Sequence, residues 1–114
     1  MGDLGPQPTI VRMEAVELVK QFLRAQNLEQ VGRVEEAIDL YEGCVREGFD
    51  STGPYERLIT LYSHRSLHKD VIRVAEAALG NVQTHPEKRA WYERMREEAQ
   101  RAATKVPQAS KRKR

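Results

Sequence analysis

The sequence predicts an all-α fold, an antiparallel stack of about five helices arranged as helix pairs. Three observations carry this reading. Apolar residues recur at spacings of three and four over most of the chain, the period of a helix with one buried face. No run alternates apolar and polar residues for long enough to make a strand. The chain also resembles itself at an offset of 34 residues.

Each element has its own signals. From Thr9 to Gln30 the apolar positions are Ile10, Val11, Ala15, Val16, Leu18, Val19, Phe22, Leu23, Ala25 and Leu28, predicting a first helix over 9–31 that Gly32 ends. Val34, Ala37, Ile38, Leu40, Tyr41, Cys44 and Val45 predict a second over 34–47, closed by Gly48. Ser51-Thr52-Gly53-Pro54 reads as a cap with proline in the first turn. Tyr55, Leu58, Ile59, Leu61 and Tyr62 then make a third helix over 53–65. Val71, Ile72, Val74, Ala75, Ala78, Leu79 and Val82 make a fourth over 68–82. Thr84-His85-Pro86-Glu87 reads as a capping box opening a last helix over 86–105, with Trp91, Met95, Ala99 and Ala102 as its apolar stripe. This sets the boundaries: a flexible N-terminus over 1–8, a helical domain over 9–105, and a disordered basic tail over 106–114.

The offset of 34 aligns Gly32–Val45 with Ser66–Leu79. Ala37 meets Val71, Ile38 meets Ile72, Leu40 meets Val74, Glu42 meets Glu76, Cys44 meets Ala78 and Val45 meets Leu79. Upstream, Ala25 meets Ile59 and Leu28 meets Tyr62. On these residues the chain resembles the tetratricopeptide repeat family, with two repeats over 18–51 and 52–85 and a capping helix after them. The segment Gly32-Arg-Val-Glu-Glu-Ala-Ile-Asp-Leu-Tyr41 is the more specific part. In the family a small residue stands where Ala37 stands, an aromatic at Tyr41 and a small residue at Cys44. The second repeat departs from the pattern at Ile59, Val71 and Ala75. Glu93, Arg94, Arg96, Glu97, Glu98 and Arg101 give the last helix a wet face, as a terminal cap requires.

Composition narrows the function classes. The chain has 114 residues, 19 Lys+Arg and 17 Asp+Glu. All four charges after residue 105 are basic. Without them the body holds 15 basic and 17 acidic residues, so the basic balance belongs to the tail. One cysteine excludes an internal disulfide and a CxxC site. No apolar run reaches the ~20 residues of a membrane span, and the first residues do not read as a secretory signal. A reducing cytoplasmic setting without membrane contact is the expectation.

Signals for chemistry are weak. Cys44 lies in phase with the apolar face and reads as a packing thiol. His64 and His68 straddle a turn, His85 precedes Pro86, and no HExxH occurs, so no metal is expected. Glu35-Glu36 and Glu97-Glu98 are adjacent pairs that diverge by ~100° around a helix, unsuited to a shared reacting atom. No phosphate-loop, dinucleotide or nucleophile-elbow pattern occurs. The expectation is a non-enzymatic protein with no cofactor. Tyr55, Tyr62 and Trp91 are assigned to core filling.

The resemblance implies a concave groove lined by the first helix of each pair, where a peptide or protein binds. On that face lie Phe22, Gln26, Glu29, Glu56, Thr60, His64 and Arg94, with Phe22 as the aromatic anchor. Family members that grip a terminal carboxylate carry Lys or Arg with Asn on these faces. Here the matching places hold Phe22, Gln26, Glu56 and Thr60, so that clamp is not implied. Two repeats leave an apolar end for Ile10, Val11 and Met13 to cover, or for a second copy to meet as a homodimer. The second functional reading is a nucleic-acid accessory protein, using Lys111, Arg112, Lys113 and Arg114 for polyanion contact.

Overall fold

The computed structural model describes residues 13–111, with side chains described through Lys105. The architecture is all-α, as the periodicity predicts, with no strand among the described residues. The helices are α1 (Ala15–Gln30), α2 (Val34–Arg46), α3 (Thr52–His64), α4 (His68–Asn81) and α5 (Arg89–Lys111). A single 3₁₀ turn, Pro86–Lys88, leads into α5. Each helix packs against the next in sequence, and α2 also touches α4. Thus α1, α3 and α5 form one layer, and α2 and α4 the other.

The core runs between the layers without a break. Ala25, Ala37, Tyr41, Tyr55, Leu58, Ile59, Val74, Ala75 and Ala78 are fully buried, and Tyr92 and Ala99 carry the cluster into α5. Small residues sit where helices approach closely. Ala37 has no exposed surface. Gly43 lies beneath the Gln21 side chain, which donates to the Leu40 carbonyl at 2.8 Å. Cys44 is buried at the same crossing. Burial pushes its thiol up to about 11, away from thiolate chemistry.

The 34-residue period is written in the turns. After α1, the N–H groups of Val31, Gly32 and Arg33 donate to Asn27, Glu29 and Leu28. After α3, those of Arg65, Ser66 and Leu67 donate to Leu61, Ser63 and Tyr62. Every donor and acceptor is displaced by 34 residues, and the distances agree within 0.1 Å: 3.2, 3.1 and 2.8 Å against 3.3, 3.0 and 2.9 Å. The left-handed residue of each turn is likewise Gly32 (φ 87°) and Ser66 (φ 58°). The two helix pairs are therefore closed by one turn geometry, used twice. Side chains tie them together. Asp50, in the α2–α3 loop, accepts the N–H groups of Gln83 and Thr84 at 2.8 and 3.2 Å and the Thr84 hydroxyl at 3.0 Å.

Several boundaries differ from the sequence reading. The first helix starts at Ala15 rather than at residue 9. Glu14 is the N-cap, with extended backbone, and its N–H donates to Glu17 Oε1 at 3.2 Å in a capping box; the Met13 N–H before it donates to Glu47 Oε1 at 3.4 Å. Residues 1–12, including Ile10 and Val11, lie outside the described residues. At the other end α5 passes the expected stop at 105 and continues to Lys111, while 112–114 lie outside the described residues. The capping box over Thr84–Glu87 does not form. Thr84 turns to Asp50 instead, and its hydroxyl lies 3.1 Å from His85 Nδ1.

The ends of the stack are unlike. Val16, Val19 and Leu23 form an exposed apolar line on α1. Beside them stand Lys20, Arg24 and Asn27, at the positions that α3 fills with Pro54, Leu58 and Leu61. Half of the face to which another helix pair would dock is thus polar. On α5, exposed Glu93, Arg94, Glu97, Glu98 and Arg101 give the charged face that the sequence predicts for a terminal helix.

Candidate functional site

The layer of α1, α3 and α5 carries two clefts that meet at one residue. The first, of about 280 Å³, is lined by Gln26, Glu29, Gln30, Tyr41 and Arg57. The second, of about 530 Å³, is lined by Glu56, Arg57, Thr60, Glu87, Lys88 and Trp91. Arg57 lines both, so the two clefts adjoin at its side chain, and the groove they outline touches three helices.

Helix periodicity places these side chains. Gln26, Glu29 and Gln30 fall within a turn and a half of α1, as do Glu56, Arg57 and Thr60 of α3. The neighbouring faces of both helices are buried at Ala25, Tyr55, Leu58 and Ile59, which fixes their rotation. The proline-initiated turn at Pro86 then delivers Glu87, Lys88 and Trp91 to the far wall.

Ion pairs hold the groove in shape. Glu29 accepts hydrogen bonds from Tyr41 at 2.8 Å and from both Nε and Nη2 of Arg57. One carboxylate thereby joins α1, α2 and α3. The Arg57 hydrogen bonds, aided by that of Tyr41, hold Glu29 below the usual carboxylate range against the opposing effect of burial. Burial and the Glu29 hydrogen bond push the Tyr41 hydroxyl up, so it remains a donor. Lys88 Nζ lies 3.0 Å from Glu56 Oε2. That oxygen is buried and has no aligned hydrogen bond among the described residues; the Tyr92 hydroxyl beneath it also has none. A similar hub stands outside the groove. Glu42 accepts from Tyr62 and from Arg73 at 2.7 and 3.0 Å, joining α2, α3 and α4. Burial pushes Glu42 up, but the Arg73 and Tyr62 hydrogen bonds outweigh it and its acidity rises.

The predicted site residues divide. Gln26, Glu29, Glu56 and Thr60 line the groove. Phe22 stands beside it, half-buried. Its ring closes over Gly53, where an added Cβ would collide with it, and meets Tyr41 at 6.0 Å. Phe22 is therefore a wedge between α1, α2 and α3. His64 and Arg94 are exposed and line neither cleft. Lys111 ends α5, and Arg112, Lys113 and Arg114 lie outside the described residues.

Sequence reasoning missed Arg57, Lys88 and the placement of Trp91. Trp91, assigned to the core, is half-buried in the cleft wall. Tyr92, absent from the predicted stripe, is the buried aromatic, and the two rings meet edge to face at 5.5 Å. Arg57 could have been found through the repeat, because it occupies the position of Leu23, on the face that meets the preceding helix pair.

A cleft of about 230 Å³ brings Ser63, His68 and Glu98 over Val71, Met95, Ala99 and Ala102, but none of the three polar groups hydrogen-bonds to another. No group of three metal-ligating side chains converges among the described residues. No helix among them is long and apolar enough to cross a membrane. Comparisons with protein-family models, curated proteins and solved structures find no match to this chain.

Proposed function

We propose that this chain is a tetratricopeptide-type interaction module that binds a protein or peptide segment in the groove of α1, α3 and α5. The observation that carries the reading is the meeting of two clefts at Arg57 on one continuous face. Repetition of the turn geometry at 34 residues supports the family assignment.

The groove is suited to recognition for physical reasons. Its walls are helices whose rotation is fixed by a continuous core, so a ligand meets a preformed surface and little ordering opposes binding. Gln26, Gln30 and Thr60 offer neutral donors and acceptors along a path two helices long. Trp91 supplies a half-exposed aromatic, the residue type that most often dominates an interface. The role is that of an adaptor, with binding as its output.

The test is partner capture by the full chain, by Gln26→Ala with Thr60→Ala, and by a chain ending at Lys105. The reading predicts capture lost in the double variant, with an unchanged unfolding midpoint, and kept in the shortened chain. Capture that survives the double variant but disappears with 106–114 would move the function to the basic tail.

A further inference from the structure

The wider cleft holds an aromatic face and an unmatched carboxylate side by side. Trp91 lines it half-buried, with Tyr92 bracing the indole edge to face. Glu87 lies four residues earlier on the same wall, exposed and without an ion pair among the described residues. The two cations of the cleft are already matched, Arg57 by Glu29 and Lys88 by Glu56. These five charged groups therefore leave one net negative charge, and it stands at Glu87. Across from it Thr60 contributes a hydroxyl that can accept as well as donate.

Resting on the groove reading above, we propose that this cleft receives a cationic side chain of the bound segment, laid on Trp91 with its charge toward Glu87. An indole face attracts a cation through its quadrupole. A planar guanidinium also stacks on the ring and forks toward a carboxylate. An acidic side chain would meet Glu87 and Glu56 and find Arg57 and Lys88 already occupied. An apolar side chain would cover Trp91 at the cost of desolvating Glu87 without a partner. The cleft thus selects by charge, while the amides of the narrower cleft hold the segment in place.

Trp91 is the only tryptophan in the chain, so its emission reports on this cleft alone. The full chain is titrated with three capped ten-residue peptides, in which serine alternates with arginine, with citrulline or with glutamate. Citrulline keeps the shape of arginine and removes its charge. The inference predicts a saturable change with the arginine peptide, about tenfold weaker binding of the citrulline peptide, and no saturation with glutamate. Glu87→Gln should weaken the arginine peptide by about three- to tenfold. Glu87 supports no other described side chain, so beyond the small loss of a first-turn carboxylate the unfolding midpoint should stay near that of the parent chain. If citrulline or glutamate binds as well as arginine, or if Glu87→Gln leaves affinity unchanged, the charge assignment is overturned and the groove stands. If no peptide alters the emission, this inference is overturned, and the groove reading is decided separately by the capture experiment above.

Discussion

Glu29 ties three helices together with one carboxylate, so its loss is felt beyond its own surface. Glu29→Gln replaces charge-assisted hydrogen bonds to Arg57 and Tyr41 with neutral ones. It should cost about 1–2 kcal/mol, read from denaturant midpoints. The pH dependence has a definite sign. Glu29 and Glu42 both titrate below their ordinary value of 4.5 in the folded chain. Their stabilisation is therefore complete above that value and is lost as pH falls through the lower folded values. The melting temperature should be level above about pH 5.5 and fall below pH 4.5, with a shallower fall in Glu29→Gln. An equally steep acid limb in that variant would contradict the assignment. Phe22 separates packing from recognition at the same scale. It is half-buried against Tyr41 and Gly53, so Phe22→Ala should cost about 2–3 kcal/mol, less than the ~3–5 of a fully buried ring. An unchanged midpoint would show that it does not act as a wedge.

The turns and crossings are where the elements can be tested. Gly32 and Ser66 occupy the same left-handed position of equivalent turns, and a side chain is strained there. Ser66→Gly should therefore stabilise by up to about 1 kcal/mol, whereas Gly32→Ser should destabilise by a similar amount. Ala37, which has no exposed surface, predicts a loss of about 1–3 kcal/mol on Ala37→Leu by overpacking. These elements were legible in the sequence because glycine, small residues and helical spacing are local signals. What was not legible depended on tertiary choice. Trp91 and Tyr92 are adjacent aromatics, and either fits a stripe with Met95 and Ala99. Packing against α4 and α3 decides that Tyr92 turns inward. The start of α1, by contrast, is set locally by the Glu14–Glu17 capping box, which the apolar spacing running upstream to Ile10 hides in the sequence. Arg57 looked like one more surface charge because its partner Glu29 stands on another helix.

At the scale of the molecule, one core cluster runs from α1 to α5, so the two helix pairs and the last helix should unfold together. Far-ultraviolet ellipticity and Trp91 emission should give coincident melting curves, and a separate earlier transition for either would divide the stack. The groove exists only in this assembled state, since each of its walls comes from a different helix. The most direct test of the account places a photo-reactive amino acid at Thr60, inside the groove, and in a second chain at Arg46, exposed at the end of α2. Each is irradiated with the captured partner, and the covalent adducts are compared. The account predicts adducts from position 60 and none above background from position 46. Adducts from position 46 with position 60 silent would place recognition outside the groove and contradict it.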